Sequence, residues 1–300
     1  MRATLALALP VVLAELGWMA MGVVDLIMVG RLGPEAIGAV GIGNVLYFSV
    51  IVFGVGLLLG LDTLVSQAFG AGKLEDCHRS LVQGVYLSLA LSPPLMAVIA
   101  LGKPALHSLG IDPAILRVAI PYLETLNWGT LPLLLYASLR RYLQGMGLVR
   151  PVMGALVVAN LVNVAGNWVL VYGRLGAPAL GVVGSGWSTC LARVAMLLIL
   201  AGYAIWYDRR HCTGRGLLRT PWTLDLARVR RLLALGFPAA MQIELEVGVF
   251  AAAATLAGRL GPTALAAHEV VLHAASVTFM VPLGVSSAGA VRVGQALGRG

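Results

Sequence analysis

The sequence predicts an all-α membrane protein, a polytopic helical bundle, from three observations. Of 300 residues, 59% are hydrophobic and only 11% are charged, and the mean hydropathy is +0.90. A soluble domain carries roughly 25% charged residues. The apolar residues form successive stretches of about 20 or more, the length that crosses a ~30 Å hydrocarbon layer. This composition excludes an ordinary soluble domain.

Turn and charge signals divide the chain into eight predicted spans. They cover about residues 5–29, 37–68, 80–101, 114–139, 151–172, 179–206, 228–257 and 263–291. The glycines and prolines within them are compatible with membrane helices, because Gly permits close packing and freed backbone groups find partners inside the bundle.

The distribution of Lys and Arg predicts the orientation. With the N-terminus inside, fifteen basic residues fall in inside segments and five in outside segments. Cytoplasmic loops carry the excess of positive charge, so we expect a cytoplasmic N-terminus in a multi-pass protein of the cell (inner) membrane. The net charge is +8, and the basic residues lie between the apolar stretches. This placement predicts that the chain contacts a lipid bilayer and that it does not bind nucleic acid. The basic stretch 207–231 is interpreted as a topogenic linker, with contact to anionic lipid as the alternative.

An internal repeat is visible. Gly30-Arg31-Leu32-Gly33-Pro34 recurs as Gly258-Arg259-Leu260-Gly261-Pro262, an offset of 228 residues. Without a gap, the same offset aligns Pro10 with Pro238, Gly56 with Gly284, Gln67 with Gln295 and Gly70 with Gly298. Six spans separate the copies, so both start on the same side and the repeat is parallel. Such pseudo-symmetric halves favour a transporter.

The repeat predicts the domain organisation. We expect an N-terminal six-helix lobe at 1–206, a cytoplasmic basic linker at 207–227 and the start of a second lobe at 228–300. A matching second lobe needs six spans and this chain supplies two. We therefore expect the sequence to be part of a longer protein.

Asp25 is the sharpest candidate among the acidic residues of the spans, because apolar residues flank it and no basic residue lies one turn away. Charged groups at membrane depth are functional candidates by default. A carboxylate held away from water can bind and release a proton, or ligate Na⁺. A structural, hydrogen-bonded carboxylate is the alternative.

Two further polar clusters fall within the spans. Asn163 and Asn167 are four residues apart in span 5, share a helix face and follow Asn160. Their amide oxygens could ligate a cation, with helix–helix hydrogen bonding as the alternative. Glu244 and Glu246, two apart in span 7, point in different directions. We expect one of them to face an acidic central cavity that attracts cationic substrates.

The remaining charges receive more ordinary interpretations. Asp62, near the inner end of span 2, is expected to cap a helix or contact a cytoplasmic gate. Gln67 is expected to have a similar gate or structural role. Arg193 within span 6 needs a partner or a water path, and Glu15 or Asp62 could supply the partner. Glu124 and Glu269 are expected to reach water at outer span ends.

Nothing in the sequence predicts an enzyme. There is no Gly-x-x-x-x-Gly-Lys-Ser/Thr nucleotide motif, no metalloenzyme His motif and no Ser/His/Asp set. Three cysteines without metal-ligand spacing, Cys77, Cys190 and Cys212, are interpreted as reduced thiols. We expect no cofactor.

Several segments resemble the multidrug and toxic compound extrusion (MATE) family, in its NorM-like bacterial branch. They are Pro10 to Pro34, Gly60 to Gly72, Leu143-Gln144-Gly145-Met146-Gly147, Asn163 to Pro178, and Ala266-Ala267-His268-Glu269-Val270, where Gln is more usual than Glu269. The resemblance covers essentially all 300 residues.

The resemblance implies a secondary active antiporter of twelve spans that exports cationic amphipathic compounds in exchange for Na⁺ or H⁺, here expected as a monomer. By position, Asp25, Asn163, Asn167 and Thr189 match the family's cation site, with possible Na⁺ at the first three. Glu246 matches its span-7 Glu. Asn167 replaces an Asp of some relatives, which removes one negative charge from the site. Two rivals stay open: a lipid-linked precursor flippase, expected to have a basic cavity, and a membrane receptor or scaffold without transport.

Overall fold

A computed structural model describes residues 2–108, 112–211, 216–259 and 262–300. Throughout these ranges the regular elements are helices. Cys212, the basic residue Arg215 and the Leu260-Gly261 pair of the repeated motif lie outside the described residues, as does the side chain of Glu269.

Ten α-helices and one short 3₁₀ helix follow one another along the described ranges. They are α1 (Arg2–Gly30), α2 (Pro34–Leu57), α3 (Gly60–Gly70), α4 (Leu74–Ser108), α5 (Pro113–Trp128), α6 (Thr130–Gly145), α7 (Val149–Leu170), α8 (Val182–His211), the 3₁₀ helix Leu217–Arg219, α9 (Leu226–Arg259) and α10 (Pro262–Arg299). With α2–α3 and α5–α6 each taken as one interrupted span, these helices match the eight predicted spans in order. The prediction of a polytopic helical bundle is confirmed.

Seven segments of the described chain are long and apolar enough to cross a membrane. The predicted fourth span falls short because it is divided at Gly129 into two helices of 16 residues each. Pro132 follows in the first turn of α6, where its missing N–H removes a hydrogen bond that would join the two helices. Gly129 also has Arg193 against it, since a Cβ there would lie 2.7 Å from the guanidinium Nη1.

Helix α6 extends further than the sequence indicates. The predicted fourth span ends at residue 139, which places Arg140 and Arg141 in the loop that follows, but both lie inside α6, and Arg140 is only 8% exposed. The predicted span edge is wrong here because carboxylates of neighbouring helices neutralise the two arginines, which the local sequence does not reveal.

The linker between α8 and α9 is docked on α4. The side chains of Gln83 and Tyr86 donate to the carbonyls of Thr223 and Trp222, at 2.9 and 2.8 Å. Helix α8 continues to His211, beyond the predicted span edge, and α9 begins at Leu226. The segment before α9 is therefore held by specific contacts with the first six spans.

Helices α9 and α10, the start of the second copy of the repeat, pack on α1, α2 and α3. The contacts follow the 228-residue offset. A Cβ on Gly56 would lie 2.6 Å from the Cα of Ala240, and a Cβ on Gly284 would lie 2.9 Å from the Cα of Val12. Gly56 matches Gly284 and Val12 matches Ala240, so the two contacts are reciprocal. Reciprocal contacts indicate a two-fold relation between the copies.

The same relation holds at the end of the bundle that contains Gly70, called here the Gly70 end. A Cβ on Gly70 would lie 2.7 Å from the carbonyl carbon of Gln295, and one on Gly298 would lie 2.9 Å from that of Gln67. Only glycine lets the α3 and α10 backbones approach so closely. The two copies are therefore in backbone contact at this end.

Candidate functional site

Asp25 lies where α1 meets α7 and α8, and only 4% of it is exposed. The Nδ2 groups of Asn163 and Asn167 donate to its Oδ1 at 3.0 and 2.6 Å. The Thr189 hydroxyl donates to its Oδ2 at 2.9 Å. The structure thus brings all four residues of the predicted cation site together.

Close packing of α7 on α8 positions these donors. A Cβ on Gly166 would lie 2.6 Å from the Ser188 Oγ, and one on Gly184 would lie 2.6 Å from the carbonyl carbon of Leu170. The Ser188 hydroxyl donates to the carbonyl of Asn163 at 2.6 Å, which joins the two helices at the level of the site. Small residues are what permit this approach.

Two hydrogen bonds hold α1 against α7 and the turn that follows it, on either side of Asp25. The Asn160 amide donates to the Gly17 carbonyl at 3.0 Å, and the Tyr172 hydroxyl donates to the Met28 carbonyl at 2.6 Å. Asn160 therefore joins helices, whereas its two neighbours in the asparagine cluster contact Asp25.

The atoms around Asp25 are suited to a cation. Carboxylate, amide and hydroxyl oxygens are the ligands that hard cations prefer. The buried Oδ1 of Asn167 has no hydrogen-bond partner, and a buried acceptor of this kind is costly unless something positive contacts it. The residues present therefore fit a bound Na⁺, or a proton on the carboxylate.

Arg193 is the nearest basic residue on α8, one helical turn from Thr189, and is 6% exposed. Its Nη1 donates to the Tyr47 hydroxyl at 2.7 Å and to the Leu126 carbonyl at 3.3 Å, and its guanidinium lies 4.7 Å from the centre of the Tyr47 ring. Arg193 and Asp25 line the same cavity.

Neither carboxylate suggested as the partner of Arg193 pairs with it. Glu15 forms an ion pair with Arg140, and Asp62 forms one with Arg141 at 3.0 Å. Asp62 thus ties α3 to α6 and is no helix cap.

A cavity of about 410 Å³ lies beside Asp25. Its walls come from α1, α2, α6, α8 and α10, and most of the lining is aromatic or aliphatic. The lining residues are Glu15, Trp18, Met21, Gly22, Asp25, Asn44, Tyr47, Phe48, Ile51, Val52, Val55, Leu133, Tyr136, Ala137, Arg140, Arg141, Thr189, Arg193, Met280 and Leu283. A largely apolar cavity with a few convergent polar groups is the usual form of a small-molecule site.

Carboxylates do not outnumber basic groups in the lining of this cavity. Its lining carries two carboxylates, Glu15 and Asp25, against three arginines, Arg140, Arg141 and Arg193. Since Arg140 and Arg141 are paired with carboxylates, Asp25 and Arg193 are the two lining charges without an ion-pair partner in the described chain.

Other predicted site residues lie elsewhere. Gln67 is half-buried at the Gly70 end, where Gly298 packs on its carbonyl. On α9, Glu246 is exposed and Glu244 is half-buried with its Oε2 unpartnered. Neither glutamate is among the lining residues of the Asp25 cavity.

Sequence reasoning missed the polar face of α6. Tyr136 lines the cavity and stacks on Trp18 with ring centres 6.4 Å apart. The signal was present, since Tyr136, Ala137, Arg140 and the buried Gln144 recur at helical spacing.

The chain matches the family model described as MatE over residues 10–169 and 238–300. The second matched segment begins 228 residues after the first, the offset of the internal repeat.

Curated relatives match almost the whole chain. A probable multidrug resistance protein NorM from Bradyrhizobium diazoefficiens is 39% identical over 296 residues, which is 99% of this chain and 63% of the relative. A protein of the same name from Mesorhizobium japonicum is 38% identical over 100% of this chain and 64% of its own length. The multidrug resistance protein MdtK of Yersinia pestis is 35% identical over 100% of this chain and 65% of its own length. The chain thus spans just under two-thirds of these relatives.

Solved structures agree on the fold. The eukaryotic MATE transporter AtDTX14 superposes with a TM-score of 0.85 at 21% identity, over 99% of this chain and 65% of that one. A MATE crystallised in complex with MaD3S gives 0.86 at 22% identity, over 99% and 66%. Taken with the family match and the relatives, these findings show that the chain belongs to the MATE family of multidrug efflux transporters.

Proposed function

We propose that the chain forms the coupling part of a secondary active antiporter that exports cationic amphipathic compounds in exchange for Na⁺ or H⁺. The observation that carries this proposal is the buried Asp25 carboxylate, held by three side-chain donors and facing a largely apolar cavity. The names of the relatives support drug export, and the carboxylate, amide and hydroxyl groups gathered at Asp25 support the binding of a small cation.

Coupling requires that the ion bind two conformations of the transporter with different affinities. Asp25 lies on α1, whereas its donors lie on α7 and α8. A shift of α1 against that pair would change the number of oxygens around an ion. Ion binding at Asp25 would thereby favour one conformation and promote release of the exported compound.

The backbone contact at the Gly70 end supports a state that is closed on that side. In the proposed orientation, with the N-terminus in the cytoplasm of a bacterial cell (inner) membrane, the Gly70 end is cytoplasmic and the cavity beside Asp25 opens outward. The protein would work as a monomer, with its two lobes, at 1–206 and from 228, moving about the linker.

The test is efflux of a fluorescent organic cation from proteoliposomes containing the complete protein, with Na⁺ and pH gradients imposed separately. We expect Asp25→Asn to abolish gradient-driven efflux. Glu124→Gln is the matched control, because it also converts a carboxylate to an amide, but at an exposed pair with Lys103. Normal gradient-driven efflux by the Asp25 variant would refute the coupling role.

The flippase alternative gains one argument, because the Asp25 cavity carries three arginines. Two of them are neutralised by Glu15 and Asp62, however, which leaves a single free guanidinium where a pyrophosphate would need several. Competition by a lipid-linked pyrophosphate against the fluorescent cation distinguishes the two, and strong competition would favour the flippase. A receptor or scaffold would show no efflux under either gradient.

A further inference from the structure

A second cavity, of about 490 Å³, opens at the Gly70 end between the two copies of the repeat. The turn from α3 to α4 contributes Lys73 to one wall, and the first turns of α9 contribute Arg228 and Arg231 to the other. We call this cavity the inter-lobe cleft. It shares no lining residue with the Asp25 cavity.

The charges of the cleft do not cancel. Arg228 binds Asp76 at 2.9 Å and Asp225 at 3.6 Å. The backbone N–H of Arg228 also donates to Asp225 and lowers the pKa of that carboxyl, so it is ionised at neutral pH. Both carboxylates of the cleft are thus held by one arginine.

Lys73 and Arg231 remain as free cations. Both are exposed, and over the ranges that the structure describes neither has a carboxylate within 4.0 Å. One lies on each wall, so an anion in the cleft would contact both copies of the repeat.

Apolar side chains also line the cleft, among them Leu64, Ala68, Ala71 and Leu297, and Leu297 is 67% exposed. Exposed apolar surface beside the two free cations suits an anionic amphiphile better than a free inorganic ion, because only the amphiphile can cover that surface. Positive charge at the cytoplasmic membrane surface attracts anionic lipids, and the linker that leads into α9 carries the highest density of arginines in the sequence.

We propose that the inter-lobe cleft binds the phosphate of an anionic lipid headgroup between Lys73 and Arg231. The two copies of the repeat are in backbone contact at this end through Gly70 and Gly298, so opening of this end would move Lys73 and Arg231 apart. Bound lipid therefore stabilises the closed conformation, because a ligand shifts the population toward the state that it binds better. The inference rests on the proposed orientation and is independent of the ion that Asp25 binds.

The experiment measures binding of short-chain phosphatidylglycerol to the complete protein in detergent, by the rise in unfolding temperature and by titration. Short-chain phosphatidylcholine and inorganic phosphate are the comparison ligands. We expect phosphatidylglycerol to bind and the other two to bind far more weakly. Replacing both cations, in Lys73→Gln/Arg231→Gln, should weaken phosphatidylglycerol binding about thirtyfold, since each basic residue near the surface contributes about a factor of five.

The matched control is Arg209→Gln/Arg210→Gln, which removes the same charge from the exposed end of α8, outside the cleft. It should bind phosphatidylglycerol as the unmodified protein does. Equal weakening in both double variants would overturn the proposal, because general surface charge would then explain the binding. Inorganic phosphate binding as tightly as the lipid would overturn the lipid assignment.

Two measurements separate folding and transport from lipid binding. The unfolding temperature of each double variant without lipid reports whether it folds. Asp25→Asn should keep the full response to phosphatidylglycerol, so a failure of the coupling mechanism leaves this test intact. A cleft variant that folds normally and still binds the lipid at full affinity would refute the site.

Discussion

Arg193→Gln tests whether a fixed positive charge beside Asp25 sets the affinity of the site for cations. Arg193 is one turn from Thr189, which donates to Asp25 at 2.9 Å, and residues four apart on a helix lie about 6 Å from each other. Two unit charges at about 7 Å with an effective dielectric constant near 20 interact by about 2 kcal/mol. Water in the cavity screens part of this, which leaves about 1–2 kcal/mol.

Removing the charge should therefore raise the affinity of Asp25 for any cation. An energy of about 1.4 kcal/mol corresponds to about tenfold in the half-saturating concentration of Na⁺ or H⁺. The assay is gradient-driven efflux by the complete protein in proteoliposomes, titrated with Na⁺ at fixed pH and with pH at fixed Na⁺. Arg193→Lys should stay close to the unmodified protein, because it keeps the charge.

The control for lost hydrogen bonding is Tyr47→Phe. It removes the 2.7 Å bond between Arg193 and the Tyr47 hydroxyl and keeps the charge. If Tyr47→Phe changes the half-saturating concentration as much as Arg193→Gln does, positioning explains the effect. If Arg193→Gln leaves both titrations unchanged, the electrostatic argument is refuted.

Three further predictions concern packing. Gly166→Val should lower the free energy of unfolding by about 1–3 kcal/mol, because its Cβ would lie 2.6 Å from the Ser188 Oγ. The measurement is the unfolding temperature, and an unchanged value would contradict this prediction. Asn160→Leu should reduce stability by about 1 kcal/mol and leave cation affinity unchanged, and a shifted Na⁺ titration would refute its purely structural role. Gly298→Val should prevent closure of the Gly70 end, measured as increased labelling there of a cysteine introduced at Ala71, and unaltered labelling would exclude the gate.

Much of the candidate site was predictable because its signals are local. Asp25 is conspicuous in an apolar helix, and Asn163 and Asn167 share a face by helical periodicity alone. The assignment of Thr189 depended on the family resemblance. Arg140, by contrast, is adjacent in sequence to basic loop signals, and only the carboxylate of Glu15 on another helix allows its burial.

The residues that line the Asp25 cavity were less predictable. Glu246 matches a family position, yet the described cavity is lined by Met280 and Leu283 of α10 rather than by α9 glutamates. Which face of a helix meets a cavity depends on the rotation of that helix against its neighbours, and an all-round apolar membrane helix does not encode this rotation in its hydrophobic pattern.

The sequence by itself determined the membrane environment, the order of the helices and the parallel repeat, because bilayer thickness and backbone hydrogen bonding leave an apolar stretch of this length few alternatives. Only the tertiary structure decided the charge pairing. Packing pairs Glu15 with Arg140 and Asp62 with Arg141, and it places Arg193 in the same cavity as Asp25. The physical reason is that a buried charge is stabilised by whichever partner lies within a few ångströms, and that partner is brought there from a distant part of the chain by packing.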